Sequence, residues 1–364
     1  MSLNAPALGA SARRRLVTTA RWLTTPLVPD DYLGYVRPLW CTREPRGRVE
    51  AVVPETADSA TLWIRPGLDW IEHRPGQYVR VGVDVDGVRR WRTYSLTSVP
   101  GRRDGRIAIT VKVAPGGVVS THLVRHTSPG TIVRLAPPAG EYVLPVLLPS
   151  RLLFVTAGSG ITPVMGMLRD LVARDALPQI VHVHVAPGPG DVIFGAELRR
   201  LARRHRGFEL HEHHDAVDGR FLPAKFDALC PDWRDRPTWA CGPAGLLDAL
   251  TDHWVAGGDP EQLHLERFRP VVAALGATGD GGRVRFCASA REIEADGATP
   301  LLVAGEEAGA LLPSGCRMGI CHTCVGRLRS GAVRDLRTGE LHEAQGELVR
   351  TCVSAAAGPV EIEL

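Results

Sequence analysis

Cys316-Arg317-Met318-Gly319-Ile320-Cys321-His322-Thr323-Cys324 decides how the rest of the chain is read, and Cys352 completes it. The spacing is Cys-x4-Cys-x2-Cys with a distant fourth cysteine. Four thiolates are the ligand set of a [2Fe–2S] cluster, and this is the plant-type spacing. A tight loop presents three sulfurs to one side of the cluster, and the fourth arrives from a remote segment. Gly315 and Gly319 permit sharp turns at positive φ with no Cβ penalty. A structural zinc site uses two Cys-x2–4-Cys pairs, and only Cys321 and Cys324 form one. A Rieske centre needs two His ligands, and His322 sits directly beside Cys321, out of place to replace a sulfur. Disulfides need an oxidising compartment, which nothing else in the chain suggests.

At 364 residues the chain has room for about two to four domains. Hydrophobic residues make up 44% and charged residues 23%, an ordinary soluble composition. A net charge of +3 implies neither nucleic acid nor an anionic membrane as partner. The basic residues are nearly all Arg; Lys112 and Lys225 are the only lysines. Four further cysteines, Cys41, Cys230, Cys241 and Cys287, are scattered, which fits a reducing compartment. No apolar run reaches the ~18 residues of a membrane span, so any membrane contact is peripheral and through a partner. The first residues lack a charged start followed by an apolar core. Arg13-Arg14-Arg15 is not followed by the apolar segment of a twin-arginine signal. A cytoplasmic location is expected.

Residues 1–44 read as an N-terminal extension with a short basic helix over 11–24. Segments 48–53, 60–64, 77–83, 88–96, 107–113 and 132–136 alternate β-branched and polar residues. Asp86-Gly87 and Asp104-Gly105 mark hairpin turns, so 45–149 is expected to form a small antiparallel barrel, interrupted by one helix near 118–126. From residue 152 the period changes. Strands at 152–157, 180–185, 208–213, 237–241 and 263–267 alternate with helices at 162–173, 194–205, 222–229 and 244–256. That alternation predicts a doubly wound parallel sheet over 150–268, with a ligand crevice at its strand ends. Residues 269–282, rich in Gly, read as a linker. A compact α+β module over 283–364 follows, with a hairpin at 284–287 and 291–294, a helix at 299–308, and strands at 325–328 and 360–364.

Four stretches carry candidate chemistry. Arg92-Thr93-Tyr94-Ser95-Leu96 closes a barrel strand. A flavin diphosphate wants a forked, always-charged donor such as Arg92, and a flavin ring wants an aromatic neighbour and a hydrogen-bonding group near N5, which Tyr94 and Ser95 offer. An exposed Arg and a half-buried Tyr on a strand have the same look. Gly116-Gly117-Val118-Val119-Ser120-Thr121 is a Gly-rich turn into a helix, suited to a phosphate; Ser120 serves equally as a helix cap without a ligand. Thr156-Ala157-Gly158-Ser159-Gly160-Ile161-Thr162-Pro163 lets a pyrophosphate approach the backbone, with Pro163 in the first helical turn. It is not the Gly-x-Gly-x-x-Gly fingerprint, since Pro163 takes the third glycine's place. Cys241-Gly242-Pro243 ends another sheet strand on the same crevice edge, although a lone Cys is usually inert core. His211, His213 and His214 lack metal-type spacing and read as ordinary histidines.

In this order, and followed by a plant-type cluster, the four stretches resemble the ferredoxin–NADP⁺ reductase superfamily. More narrowly, the chain resembles single-chain reductases with a C-terminal [2Fe–2S] ferredoxin domain of β-grasp fold, which feed oxygenases and desaturases. The resemblance covers roughly residues 46–364. It implies FAD held by Arg92, Tyr94, Ser95, Leu96, Gly117, Val118, Val119, Ser120 and Thr121. It implies a nicotinamide nucleotide held by Gly158, Ser159, Gly160, Ile161, Thr162, Pro163, Cys241, Gly242 and Pro243, with Cys241 beside the reacting carbon. Glu266-Arg267-Phe268 is similar to the acidic and aromatic pair that ends such modules, Phe268 covering the flavin until nicotinamide displaces it. Ser95, Cys241, Glu266 and Phe268 are then the residues nearest the chemistry, and Cys316, Cys321, Cys324 and Cys352 the metal ligands.

In the superfamily the turn at 117–121 serves the adenosine half of the flavin and is lacking in members with FMN, so the resemblance implies FAD rather than FMN. A 2′-phosphate wants a cation just past the second sheet strand. Ala186-Pro187-Gly188-Pro189-Gly190-Asp191 has none, and Arg199, Arg200 and Arg203 follow on the next helix. Asp191 would discourage a phosphate, while these arginines and the resemblance favour one, so NADPH is expected, with NADH the alternative. The N-terminal extension is similar to that of bacterial reductases serving membrane acyl-CoA desaturases. The expected partner is therefore a desaturase, with a Rieske or diiron oxygenase or a cytochrome P450 as alternatives. A redox-sensing regulator without turnover is the competing class.

Overall fold

The computed structural model of the protein describes residues 38–41, 45–85, 87–268, 281–310, 312–314, 319 and 322–364. The helix expected over 11–24 and nearly all of the expected linker lie outside the described residues.

The first sheet contains β1 (Arg46–Thr56), β2 (Ser59–Pro66), β3 (Tyr78–Val85), β4 (Val88–Ser95), β5 (Ile107–Lys112) and β6 (Ile132–Leu135). Their order is β4-β3-β6-β1-β2-β5, antiparallel throughout. A bridge from Leu96 to Ile109 brings the two edges together, as a barrel requires. The strands alternate, so Val49, Leu62, Ile64, Val79, Val81, Val133 and Leu135 fill the interior. Val85 pairs with Val88, the two-residue hairpin expected from the turn at 86–87. Asp104-Gly105 forms no such hairpin. It sits in a longer connection where Asp104 is gripped by Arg102 and Arg106; those ion pairs, not strand register, fix the turn. Helix α1 (Val118–Thr121) runs directly into a π-helical turn, His122–His126.

The second sheet is parallel, in the order β11-β10-β7-β8-β9. Its parts in sequence are β7 (Arg151–Ala157), α2 (Ile161–Ala173), β8 (Gln179–Ala186), α3 (Gly195–Arg204), β9 (Phe208–His214), β10 (Thr238–Cys241), α4 (Ala244–Gly257) and β11 (Leu263–Glu266). The helix expected over 222–229 is only a 3-10 turn, Pro223–Lys225, and one turn of α-helix, Phe226–Leu229. Each face of the sheet buries its own core. Phe154, Met167, Leu168 and Phe208 lie on one side, and Val155, Val183, Trp233 and Trp254 on the other. Such two-sided burial defines a doubly wound sheet. Strand order reverses between β7 and β10, which places a crevice at their carboxyl ends.

The third sheet is mixed: β12 (Gly282–Phe286), β13 (Arg291–Ala295), β14 (Val325–Asp335), β15 (Leu341–His342), β16 (Leu348–Arg350) and β17 (Ser354–Glu363), with α5 (Leu301–Glu307) packed on it. Gly282, expected in the linker, opens β12. β14 runs well past its expected end at 328, and β17 begins well before its expected start at 360. Gly331, at φ +85°, would carry a Cβ only 1.9 Å from the Pro359 carbonyl oxygen, and the register shifts on either side of it. A bulge of this kind breaks the apolar alternation that strand reading depends on. Among the described residues no helix is long and apolar enough to cross a membrane.

Candidate flavin, nucleotide and cluster sites

Arg92, Tyr94 and Ser95 end β4 and line a cavity of about 160 Å³, together with Tyr78, Thr93 and Thr110 of the barrel and Ser159, Thr162, Glu266 and Phe268 of the parallel sheet. Arg92 Nη1 donates to the Trp91 carbonyl at 2.8 Å, which steadies the guanidinium at the cavity wall. Burial pushes the Tyr94 phenol well above its ordinary range. Leu96 turns into the barrel core, fully buried.

A larger cavity, about 550 Å³, opens at the strand ends of the parallel sheet. Gly158, Ser159 and Gly160 form a 3-10 turn that leads into α2. Gly158 has φ +52° with open space where a Cβ would be, so backbone N–H groups there are approachable. Thr162 Oγ1 donates to the Ser159 carbonyl at 2.9 Å and tightens this entry. Ile161 and Pro163 are buried and anchor the helix. Gly242 and Pro243 form the opposite wall. Cys241 is fully buried and lies in register with Glu266 of β11. Burial pushes the Cys241 thiol well up, with the Glu266 carboxylate adding to it. Burial also raises the Glu266 carboxyl, to about 7.

The two cavities share Lys112, Ser159 and Phe268. Phe268 therefore stands where they meet. The turn at 117–121 lines neither of them. Ser120 Oγ accepts from the Ala114 N–H at 3.1 Å and donates to the Gly117 carbonyl at 3.2 Å, so its hydroxyl closes the loop. Val119 is buried, Thr121 half-buried and Val118 exposed.

Cys316 and Cys321 lie outside the described residues. Cys324 and Cys352 are both buried. Thr351 Oγ1 donates to the Cys324 carbonyl at 2.8 Å, and Arg350 Nη1 to the Gly319 carbonyl at 2.6 Å. Gly319 has φ +71°, and a Cβ there would lie 2.7 Å from the Arg337 guanidinium. His322, a residue with a side chain, is held at φ +56°. Left-handed backbone at such a residue costs about 1 kcal/mol or more and persists where the surroundings over-determine it.

Three family models match in chain order: an oxidoreductase FAD-binding domain over 59–143, an oxidoreductase NAD-binding domain over 154–250, and a 2Fe-2S iron-sulfur cluster binding domain over 284–357. An NADPH oxidoreductase of Mycobacterium tuberculosis is 51% identical over 345 residues, 94% of this chain and 90% of the relative. The chain belongs to the ferredoxin–NADP⁺ reductase superfamily, as a single-chain reductase with a C-terminal [2Fe–2S] domain. The glycine betaine monooxygenase reductase subunit of Pseudomonas aeruginosa is 29% identical to this reductase over 89% of the chain and 96% of the subunit. The solved structure of phthalate dioxygenase reductase matches with a TM-score of 0.63 at 25% identity, over 88% of this chain and 97% of that one. This reductase is thus an NAD(P)H-dependent oxidoreductase that works with FAD and a [2Fe–2S] cluster.

The residues present fit those groups. Thr93 lines the smaller cavity, and its buried Oγ1 has no hydrogen-bond partner among the described residues. Buried polar atoms without partners are rare in folded proteins, and a flavin with its many acceptors meets that need. Buried sulfurs beside a loop tied down by its own carbonyls suit a cluster.

Motif reading of the reductase missed Lys112, which lines both cavities and pairs with Asp58 at 2.7 Å. Its signal was present: it is one of only two lysines among 43 basic residues. Of the arginines weighed for a 2′-phosphate, Arg199 is held bidentately by Glu212, and Arg200 lines a separate cavity beside Met165. His211 faces Glu209 and His213 Nε2 faces the Gly219 carbonyl, as ordinary strand histidines would.

Proposed function

We propose that this reductase takes hydride from NADPH where its two cavities meet and passes single electrons through its own cluster to a separate iron-containing oxygenase. The observation that carries the reading is the shared wall of those cavities: Lys112, Ser159 and Phe268 belong to both. FAD takes up an electron pair as hydride and releases electrons singly, which is what links a nicotinamide to an iron–sulfur centre.

The chain's own residues bind, orient and shield. Arg92 would hold the flavin diphosphate, Tyr94 would flank the ring, and Ser95 would offer it a hydroxyl, with Leu96 fixing the strand end from the core. Gly117, Val118, Val119, Ser120 and Thr121 shape the turn for the adenosine half, Ser120 by closing it. Gly158, Ser159, Gly160, Ile161, Thr162 and Pro163 bring the N-terminus of α2 to the nucleotide phosphates. Cys241, Gly242 and Pro243 would wall the nicotinamide, and Phe268, where the two cavities meet, would cover the flavin in its absence. Glu266, with its carboxyl near 7, holds a proton or a charge close to Cys241. Cys316, Cys321, Cys324 and Cys352 hold the cluster.

The oxygenase-type acceptor is supported by the reductases of glycine betaine monooxygenase and phthalate dioxygenase, which match this chain over nearly its whole length. A membrane acyl-CoA desaturase stands as the second reading. A match over 94% of the chain necessarily enters residues 1–44, so part of the extension behind that reading is shared with a relative. The name of that relative supports NADPH over NADH; the arginines of α3 do not. The test is reconstitution: the purified reductase is added to a Rieske oxygenase, a cytochrome P450 and a desaturase in membranes, with NADPH or NADH. Product formation above the reductase-free control with one acceptor class identifies it. Equal rates with the two nucleotides would count against NADPH, and no product with any acceptor would count against the reading.

A further inference from the structure

We infer that Arg80 is a positioning residue for electron exit, a latch that holds the cluster loop against the strand pair carrying the flavin motif. The inference rests on the function proposed above and deepens it. Arg80 Nη1 donates to Thr323 Oγ1 at 2.9 Å. Thr323 lies within the Cys-x2-Cys segment, between Cys321 and Cys324. At its other end Arg80 is paired across β3 and β4 with Thr93, the neighbour of both Arg92 and Tyr94. Its guanidinium also lies over the Trp91 ring, 5.7 Å from the centroid. Gly82 is opposite Trp91, and a Cβ there would meet that ring at 2.9 Å.

Directly opposed residues of an antiparallel pair share a face, and neighbours along a strand point to opposite faces. Arg80, Trp91 and Thr93 therefore share one face of the β3–β4 ribbon, while Arg92 and Tyr94 occupy the other. Thr93 and Ser95 on the latch's face line the smaller cavity together with Arg92 and Tyr94 of the other, so one ribbon carries both the latch and the flavin motif. The cluster loop is in turn fixed on its own module by Arg350 on Gly319 and Thr351 on Cys324. A displacement of the latch thus carries the loop with it. Electron transfer rates fall steeply with separation, so an Arg that sets this separation sets the rate. Arg suits the role because one planar group stacks on an indole and donates sideways in the same pose. A hydrogen bond from a charged donor changes such a docking equilibrium by about tenfold.

The test uses the full-length holoprotein and its Arg80→Ala, Arg80→Lys, Thr323→Val and Arg80→Ala/Thr323→Val variants. After anaerobic mixing with NADPH, flavin bleaching should keep its rate in all of them, while cluster reduction slows about tenfold in Arg80→Ala and Thr323→Val. Lys should recover only part of the loss, and the double variant should be no slower than Arg80→Ala. Small-angle scattering of the oxidised protein should show a larger radius of gyration in the slowed variants, with the cluster's resonance signal unchanged. Unchanged cluster reduction, unchanged scattering or additive losses would overturn the latch. So would flavin bleaching slowed in parallel, which would make Arg80 merely a barrel-stabilising side chain. Failure of NADPH to bleach the wild-type flavin would instead overturn the proposed function.

Discussion

The α-carbon of Gly160 faces the backbone of Cys241 so closely that a Cβ there would lie 2.1 Å from the Cys241 carbonyl oxygen. Gly160 ends the 3-10 turn after β7 and Cys241 ends β10, on either side of the point where strand order reverses. No side chain can stand between them, so the turn at 158–160 is clamped onto β10. This contact makes one wall of the nucleotide cavity out of two segments remote in sequence.

Gly160→Ala must therefore push the turn off β10. Overpacking of this kind costs about 1–3 kcal/mol, and the loss should fall on the nucleotide site first. Titration with NADP⁺, followed by the flavin difference spectrum, should give a dissociation constant about tenfold higher, with FAD content unchanged. An unaltered constant would show that the clamp does not shape the site.

Glu266 makes stability depend on pH. Burial raises its carboxyl from 4.5 to about 7, so between those values the folded state keeps a proton that the unfolded chain has released. Stability then falls as pH rises through that window and levels off above it, by an amount on the order of 2 kcal/mol. Glu266→Gln abolishes this component. Thermal midpoints at about pH 5 and about pH 8 should differ less in the variant than in the wild type. Equal differences in the two proteins would contradict the assignment.

Much of this was legible in the sequence because the decisive signals are local. The switch from period-two strands to alternating strand and helix at Leu152, and the glycines at 158 and 160, need no tertiary information to interpret. Other features lay beyond it because they join distant segments. Thr156 Oγ1 sits within 2.8 Å of His182 Nε2 and 2.7 Å of His184 Nδ1, a buried polar trio inside strands that read as apolar. The barrel–nucleotide seam rests on Arg169, and nothing in its helical surroundings distinguishes it from a solvent-facing Arg. The bulge at Gly331 hid half of β14 for the opposite reason, since it broke a local pattern that the pairing with β17 restores.

Arg169 predicts its own phenotype. Its guanidinium donates to the Thr97 carbonyl at 2.7 Å, grips Glu197 at 3.0 and 2.7 Å, and lies 4.7 Å from the Phe194 ring centroid. Arg169→Ala should cost about 2 kcal/mol, read as a lower thermal midpoint. Arg169→Lys should recover little, because a point charge cannot reproduce the fork. A midpoint unchanged in both variants would remove Arg169 from the seam.

Cys324→Ser and Cys352→Ser should each strip iron while leaving the flavin half intact. Purified variants should retain FAD and its bleaching by NADPH, and lose both acid-labile sulfide and the delivery of electrons to cytochrome c. Full iron content in both variants would mean that these buried thiols are not ligands.

The most direct measurement is an anaerobic titration of the wild-type protein with NADPH, with flavin absorbance and the cluster's electron paramagnetic resonance recorded on the same samples. The flavin bands should bleach and a [2Fe–2S] signal appear in step, both from one polypeptide. Bleaching of the flavin with no cluster signal at any dose of NADPH would contradict the proposed function.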